Sequence, residues 1–182
     1  MRARTAPNSL VIAAAAFAAY KHRDQRRKDR EASPYINHPI ALANVLANEA
    51  GIDDPIVLCA ALLHDTIEDT QTSAEELRSM FGPEVTSVVL EVTDDKLLPK
   101  AERKRLQVKH AATVSERAKL VKLADKICNV RDIISSPPVG WSDQRRGEYL
   151  DWSKQVVDQL RDVNGELAAL FDHEYGRRDV RG

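Results

Sequence analysis

Ala60–Thr70 reads AALLHDTIEDT, and this stretch decides the fold that the sequence predicts. It continues an apolar run, Val57–Leu63, that is hydrophobic almost all round and is therefore typical of a central, buried helix. Four charged or ligand-type side chains follow at the polar end of that run: His64, Asp65, Glu68 and Asp69. In one continuous helix, residues four apart lie one turn apart. We therefore expect two adjacent columns, His64 with Glu68 and Asp65 with Asp69, that face one site.

The side chains of this segment suggest a divalent metal. Three carboxylates packed this closely repel one another unless a cation compensates their charge. A neutral imidazole beside a carboxylate suits Mn²⁺, Fe²⁺ or Zn²⁺, and the absence of nearby thiolates in the sequence argues against structural zinc. The alternative is a solvated helix end with a carboxylate–histidine pair, which is the commoner fate of an isolated His-Asp dipeptide. The additional Glu68 and Asp69 leave both alternatives open.

Two residues elsewhere could complete a ligand set. His38 stands between Asn37 and Pro39 at the start of a predicted helix, and Asp125 lies in the otherwise apolar run Leu120–Ile127. A lone buried aspartate requires a partner. With His64 and Asp65 they would supply two nitrogens and two oxygens, and positions would remain open for water and substrate, as in a catalytic site.

In the rest of the sequence, the prolines and capping residues predict helices throughout. Pro39, Pro55 and Pro83 each open an apolar-periodic run, as proline does at the first helical position. Ser73 and Glu76 form a capping-box pattern for a short helix that ends near Phe81. The valines at 85, 88, 89 and 92 have high strand propensity, but their spacing favours a helix. Pro137 and Pro138 end the run 119–134, and Ser142 can cap a last long helix.

Length and composition bound the architecture. The chain has 182 residues, 27 Lys and Arg, 28 Asp and Glu, and a net charge of -1, which argues against a disordered polyelectrolyte and against a protein that coats nucleic acid. Seven glycines and eight prolines are few for this length, which favours helices. We predict one all-α domain over 1–182. The two cysteines, Cys59 and Cys128, predict core positions in a reducing compartment, the cytoplasm.

The N-terminus has two interpretations. Leu10–Ala19 (LVIAAAAFAA) follows Arg2 and Arg4 and contains a small-x-small site, as in a secretory signal. We favour a first helix that is capped by Asn8 or Ser9 and runs without a break into 21–28. No apolar run approaches the ~20 residues that a membrane span needs.

Several motifs occur together and in a fixed order. They are HRDQRRKD at 22–29, PYINHP at 34–39, AALLHDTIEDT at 60–70, EVTDDK at 91–96, KAERKRLQ at 100–107 and VKLADKICNVRD at 121–132. Over about residues 13–170 the chain resembles the HD-domain hydrolases, and within them the (p)ppGpp hydrolase domain of the RelA/SpoT superfamily. It is most similar to the stand-alone small alarmone hydrolases of the animal type. The resemblance implies a single helical bundle of the metal-dependent phosphohydrolase type.

The resemblance also implies residue roles. It assigns His38, His64, Asp65 and Asp125 to Mn²⁺, with Zn²⁺ or Fe²⁺ as alternatives, and Glu68 and Asp69 to activating a water. The water would attack the phosphorus next to the ribose 3′ oxygen of ppGpp or pppGpp, so that pyrophosphate leaves and GDP or GTP remains. Substrate-binding matches are Arg27 and Lys28 for the guanine, with Tyr35 and Asn129 as further contacts.

Other candidates come from position alone. Tyr149, on the last long helix, could cover the nucleotide, although an aromatic residue at helical spacing is more often part of the core. Residues 26–28 could instead form a solvated basic face. Lys96, Lys100, Arg103 and Lys104 could either meet the substrate's outer phosphates or form a solvated helix.

Alternative functions remain open. The long bacterial relatives typically read ADRLHNMRT where this chain has ADKICNVRD at 124–132, and a carboxylate at Asp132 could alter base or phosphate preference. One alternative is removal of the 2′-phosphate of NADPH, or action on another nucleotide. Another is a nucleotide-sensing or nucleic-acid-binding module that uses residues 21–30, but Glu68 and Asp69 argue against a protein that only binds. The sequence predicts a small-molecule nucleotide as the partner. It does not indicate an oligomeric state.

Overall fold

The computed structural model describes residues 7–178, and every regular element within them is helical. In chain order the α-helices are α1 (Pro7–Lys21), α2 (Asn37–Asn44), α3 (Pro55–Leu63), α4 (Thr66–Asp69), α5 (Ala74–Val92), α6 (Lys100–His110), α7 (Glu116–Ser135), α8 (Asp143–Val157) and α9 (Gly165–Gly176). A π-helical turn, Val45–Glu49, extends α2, and a 3₁₀ turn, Ala111–Thr113, follows α6. The predicted all-α class is confirmed. The prediction of one domain over 1–182 stays a prediction, because its ends, 1–6 and 179–182, lie outside the described residues.

Helix α3 is the centre of the bundle. Asp54 caps it by accepting the Ile56 amide at 2.9 Å, and Pro55 occupies its first position. Its residues from Cys59 to Leu63 are all buried. It packs against α1, α2, α5 and α7, so the predicted central helix is confirmed.

Helix α7 is the second helix around which the core is built. Its buried positions include Leu123, Ala124, Ile127 and Val130, and it contacts α2, α3, α5, α8 and α9. The buried positions of this 20-residue helix form its apolar face, and its polar residues lie on the remaining face. Asp125 projects from α7 toward the end of α3, where the two helices approach each other.

Several expectations about helix ends are wrong. Helix α1 already begins at Pro7, so Asn8 and Ser9 lie inside it rather than capping it, and it ends at Lys21 instead of running through the basic stretch. Pro39 is the third residue of α2. The chain after α1 turns back on itself as a loop, in which the Arg27 amide donates to the Ser33 carbonyl at 2.8 Å.

The signal-like stretch forms part of the core. Ala14, Phe17 and Ala18 are buried, and α1 packs along α3. Arg2 and Arg4, which contribute to the secretory interpretation, lie outside the described residues. Among residues 7–178, no helix combines the length and apolar character needed to cross a membrane.

Helix α5 consists of two segments. Ser73 accepts the Glu76 amide at 3.1 Å, as the capping-box pattern predicts. The segments meet at Gly82, whose φ of 85° is a left-handed conformation that glycine adopts readily, and Pro83 opens the second segment. The region around Val85 is helical, so the preference for helix over strand there is confirmed.

Candidate active site

The polar end of α3 does not continue as one helix. Helix α3 ends at Leu63, Asp65 has φ and ψ of -98° and 0°, and the single turn α4 follows. The break is stabilised by side chains that satisfy the last carbonyls of α3: Thr66 Oγ1 donates to the Leu63 carbonyl at 2.7 Å, and His64 Nδ1 to the Ala61 carbonyl at 2.8 Å. The expectation of two columns on one continuous helix is therefore wrong, although the Asp69 amide still bonds to the Asp65 carbonyl at 2.8 Å.

The break points His64 and Asp65 at one another and at α2. Ligand atoms of His38, His64 and Asp65 all lie within 4.8 Å of one another. Asp125 adjoins them, because its Oδ1 is 3.2 Å from His38 Nε2 and 4.0 Å from His64 Nε2. The structure thus brings together the four residues that the sequence nominated as ligands, from α2, the α3–α4 junction and α7.

The ligand atoms in this cluster are arranged to bind a cation. Because His64 Nδ1 donates to a backbone carbonyl, its Nε2 is the ring nitrogen that remains to bind a proton or a metal ion; this buried nitrogen lies 2.9 Å from Asp65 Oδ2. Without a proton or a metal ion on Nε2, the two atoms would repel each other at this distance. The two imidazoles and two carboxylates therefore fit a divalent metal.

The electrostatics of the cluster agree with that geometry. Burial lowers the pKa of His64, but the Asp65 and Asp125 carboxylates outweigh it and raise the pKa to about 9. Burial opposes the charge of Asp65, yet the neighbouring His64 holds the pKa of that carboxyl below its ordinary value. A field that attracts a proton to Nε2 also attracts a metal cation to the same place.

Glu68 and Asp69 lie beside the cluster and are held by distant segments. Glu68 Oε2 accepts the Asp94 amide at 3.1 Å, and Arg103 lies 3.6 Å from its other oxygen. Burial raises the pKa of Glu68, so this carboxylate is a stronger proton acceptor than an exposed one. Asp69 accepts from Gln25 at 3.3 Å and from Lys96.

Asp125 has three partners, one of which sequence reasoning missed. Asn129 donates to its Oδ1 at 2.7 Å, and the buried Lys126 donates to its Oδ2 at 2.9 Å. Burial works against the charge of Lys126, but Asp125 raises its pKa above the ordinary value. A lysine next to the one acidic residue of the run Leu120–Ile127 was the signal that could have identified it.

A cavity of about 280 Å³ opens over the cluster. Its lining residues include His64 and the acidic Asp65, Glu68 and Asp69. Its basic lining residues are Arg27, Lys100, Arg103, Lys104, Lys122 and Lys126. Burial and the neighbouring cations Lys100 and Lys126 lower the pKa of Lys104, which shows how closely these charges are packed. Arg103 and Lys104 are half-buried, whereas Lys96 and Lys100 are exposed, so the solvated alternative stays open for these last two.

A second cavity of about 650 Å³ adjoins the first, and all five sequence-nominated substrate contacts line it. These contacts are Arg27, Lys28, Tyr35, Asn129 and Tyr149. Arg27 pairs with Asp132 and lies 5.7 Å from the Tyr35 ring centre, whereas Lys28 is exposed. Tyr149 packs between Trp141 and Trp152 and borders both cavities, so it is at once a packing residue and a lining residue.

Four aromatic rings link the loop after α1 to the cluster. Tyr35 packs against His22 with ring centres 4.8 Å apart and ring planes tilted by 36°, and its hydroxyl donates to Asp65 Oδ2. His38 contacts Tyr35 at 6.0 Å and His64 at 5.4 Å. His22, which is only 2% exposed, was not among the residues that the sequence nominated for the site.

Known proteins share this arrangement over almost the whole chain. The family model for the HD domain matches residues 14–146. The guanosine-3′,5′-bis(diphosphate) 3′-pyrophosphohydrolase MESH1 of Xenopus tropicalis is 55% identical over 167 residues, which cover 92% of this chain and 93% of that protein. The Mus musculus protein of the same name is 57% identical over 170 residues, with 93% and 95% covered.

A solved structure agrees. The structure reported as "A metazoan ortholog of SpoT hydrolyzes ppGpp and plays a role in starvation responses" superposes with a TM-score of 0.92 and 49% identity, and covers 96% of this chain and 98% of that one. An HD domain implies a divalent metal, in agreement with the cluster of His38, His64 and Asp65. The chain therefore belongs to the HD-domain family and is similar, along more than nine-tenths of its length, to the animal ppGpp pyrophosphohydrolases.

Proposed function

We propose that this protein hydrolyses ppGpp and pppGpp at the 3′-diphosphate in a Mn²⁺-dependent reaction that gives GDP or GTP and pyrophosphate. The observation that carries the proposal is that one cavity is lined both by the close pair of ligand atoms His64 Nε2 and Asp65 Oδ2 and by a group of basic side chains. A diphosphate carries the negative charge that both a metal ion and basic side chains bind. The names of the animal relatives support the guanosine nucleotide as substrate.

We propose His38, His64, Asp65 and Asp125 as the residues that hold the metal. Carboxylate oxygens suit Mn²⁺, while the imidazoles leave Zn²⁺ and Fe²⁺ as alternatives. When bound, a divalent ion supplies Lewis acidity to the reacting phosphate and to water. Asp125 is fixed for this role by Asn129 and by Lys126, which also partly balances the acidic charge of the ligand set.

The reaction assigns distinct tasks to the two acids. The oxygen of a water forms a bond to the phosphorus next to the ribose 3′ oxygen, and the bond between that phosphorus and the 3′ oxygen breaks. Glu68, whose burial strengthens it as a base, accepts a proton from the water, and Asp69 orients that water. The 3′ oxygen takes up a proton and remains on the nucleoside as a hydroxyl group, and pyrophosphate leaves.

The remaining contacts divide between the two cavities. Arg103, Lys104 and Lys122 neutralise the negative charge of the 3′-diphosphate in the first cavity. Arg27 and Lys28 bind the guanine in the second cavity, by guanidinium stacking and hydrogen bonding. Tyr35, Asn129 and Tyr149 lie where the cavities meet, so we assign them to the ribose between the two.

Metal depletion followed by product analysis tests this function. Protein stripped by chelation is reloaded with Mn²⁺, Zn²⁺ or Fe²⁺ and given ppGpp, pppGpp or NADPH, and pyrophosphate and orthophosphate are measured separately. We expect pyrophosphate from the guanosine nucleotides, with the highest rate in Mn²⁺. Orthophosphate from NADPH without pyrophosphate from ppGpp would instead favour the 2′-phosphatase, and turnover that chelation leaves intact would refute the metal site.

The acid pair has a matched variant test. Glu68→Gln keeps the shape of the side chain but removes the base, so kcat should fall by roughly 10²- to 10⁴-fold. Glu75→Gln removes one carboxylate from an exposed position of α5 and should leave kcat unchanged. An equal effect of the two substitutions would contradict the role of Glu68.

The thiols support the proposal that the enzyme acts in the cytoplasm. Cys59 on α3 and Cys128 on α7 are both buried and free. Burial raises the pKa of Cys59 to about 12, which makes this thiol unreactive. Unpaired, buried cysteines of this kind are usual in proteins of reducing compartments.

A further inference from the structure

Asp69 is held by a side chain to which neither the sequence nor the proposed mechanism gives a role. Gln25, in the loop between α1 and α2, donates from Nε2 to Asp69 Oδ2 at 3.3 Å. Because a carboxylate only accepts hydrogen bonds, the amide nitrogen of Gln25 faces Asp69 and its Oε1 faces away. On that far side lies His22 Nδ1, at 2.6 Å from Oε1. The oxygen of Gln25 accepts, so His22 Nδ1 carries the hydrogen and the three residues form a directed chain.

The inner end of this chain is fixed. His22 is 2% exposed and immediately follows α1, and its amide donates to the Ala18 carbonyl at 2.9 Å. Its ring packs against Tyr35 at a tilt of 36°. The Gln25 backbone is held as well: its amide donates to the His22 carbonyl at 2.9 Å, and its carbonyl accepts the Tyr35 amide at 3.1 Å. Gln25 is thus held by both its backbone and its side chain.

The other partner of Asp69 is less constrained. Lys96 lies in the loop before α6, and its side chain is 49% exposed. A long side chain with that exposure samples several rotamers, so it supplies charge without fixing a direction. The orientation of the Asp69 carboxylate therefore depends on Gln25.

We propose that Gln25, held by His22, is a positioning residue that fixes the rotation of the Asp69 carboxylate at the edge of the first cavity. The proposal rests on the proposed function, in which Asp69 orients the attacking water. A carboxylate free to rotate would leave that water misaligned with the phosphorus, and misplacement of about 1 Å costs on the order of 10²-fold in rate. Partners that orient functional carboxylates typically contribute 10- to 100-fold.

Kinetics with paired variants test the proposal. In Gln25→Leu and in His22→Leu, kcat should fall by roughly 10- to 100-fold, while the KM for ppGpp and the affinity for Mn²⁺ change by less than about threefold. His22→Asn places an amide donor near the position of Nδ1 and should recover most of the kcat lost in His22→Leu. Gln155→Glu, on the exposed face of α8, is the surface control. A Gln25→Leu enzyme that folds with wild-type stability and keeps wild-type kcat would overturn the proposal.

A second measurement needs no substrate and separates this proposal from the proposed function. The side-chain amide resonances of Gln25 in ¹H–¹⁵N spectra should shift in His22→Leu, which removes the donor to Oε1, and in Asp69→Asn, which removes the negative charge of the group that accepts from Nε2. Asp162→Asn, at a site where the carboxylate is 75% exposed, should leave them unchanged. If wild-type protein releases no pyrophosphate from ppGpp, the proposed function fails. These resonances alone then decide whether the hydrogen-bonded chain of His22, Gln25 and Asp69 exists. Unshifted resonances in Asp69→Asn would overturn the proposal whatever the substrate.

Discussion

Lys126 shows how one buried cation sets the charge balance at the candidate metal site. Its ammonium lies 2.9 Å from Asp125 Oδ2 and 4.5 Å from the Trp152 ring centre, and its side chain is 6% exposed. At this depth each charge depends on the other, because neither can recover its hydration. In the proposed site, the metal and Lys126 would share Asp125 between them.

Lys126→Met tests this sharing. Removing one partner of a buried pair typically costs about 3–5 kcal/mol, so metal-free protein should be destabilised by about that much. A bound divalent cation would again compensate Asp125, so we expect Mn²⁺ to restore part of the loss. Urea unfolding with and without Mn²⁺ measures both quantities. Equal destabilisation of the two forms would mean that Asp125 is not a ligand.

At the residue scale the sequence identified the acidic members of the site better than the basic ones. His64, Asp65 and Asp125 stand out because polar residues in apolar runs are costly and require an explanation. Lys122 and Lys126 lie on the same helix as Asp125, but many exposed helices carry lysines at such spacing. Only the packing of α7 against α3 and α8 shows that Lys126 is buried.

The junction between α3 and α4 is the element that sets the site. Two side chains, Thr66 and His64, bond to carbonyls at the end of α3, and so the chain turns before Asp65 instead of continuing as a helix. This turn directs Asp65 toward His64 and Tyr35. The position of a proposed metal ligand thus depends on how a helix ends.

Thr66→Val is the direct test of that dependence. The substitution keeps the shape but leaves the buried Leu63 carbonyl without its partner, which costs about 1–3 kcal/mol. We expect Mn²⁺ to bind more weakly as well, because the turn that places Asp65 loses a constraint. Thermal unfolding and a metal titration measure the two effects, and Thr66→Ser, which keeps the hydroxyl group, should show much smaller changes. Unaltered Mn²⁺ affinity in a destabilised Thr66→Val protein would separate the turn from the site.

Element identities were predictable where local signals agree with burial. Proline at 55, the cap at Ser73 and the apolar run of α3 each predict a boundary or a helix that the structure contains. The end of α3 was not predictable, since periodicity continues through residues 64–69 and the break depends on side-chain bonds to carbonyls. The end of α1 was missed for a similar reason: residues 21–28 have helical composition, but the loop that pairs Arg27 with Ser33 is more stable in the folded chain.

Across the whole molecule, one charge network joins three segments far from the cavities. Arg131 on α7 donates to Glu49 at 2.8 and 2.7 Å and to Glu174 on α9 at 3.0 Å. Hydrogen bonds from Arg131 lower the pKa of Glu49. Burial raises the pKa of Glu174, but hydrogen bonds from Arg177 and Arg131 outweigh this effect, so the pKa lies below its ordinary value of 4.5.

This network predicts how stability depends on pH. The folded pKa values are depressed, so the stabilisation is complete above the unfolded pKa and is lost as pH falls through the folded values. The free energy of unfolding should therefore decrease below about pH 4.5, and Glu174→Gln should flatten that decrease. Urea unfolding between pH 3 and 6 measures the slope. Glu116→Gln, at an exposed position, is the control and should keep the wild-type slope.

The division of the site into two cavities could not be predicted at this scale. The second cavity forms because the loop after α1 meets the segment between α7 and α8, where the Val139 amide donates to the Lys28 carbonyl at 2.8 Å. These segments are more than 100 residues apart, and neither contains a pattern that names the other. The motifs nevertheless nominated Arg27, Tyr35 and Asn129 as substrate contacts, and all three line this cavity.

The placement of the aromatic residues gives the protein an optical property. The chain has only two tryptophans, and each borders a different cavity: Trp152 the first and Trp141 the second. Tryptophan fluorescence, excited selectively over that of tyrosine, therefore originates beside the two cavities. In the proposed arrangement, a Trp141→Phe protein would signal phosphate entry through Trp152, and a Trp152→Phe protein would signal base entry through Trp141. The order in which the two halves of a nucleotide dock could then be followed by stopped-flow emission without any added dye.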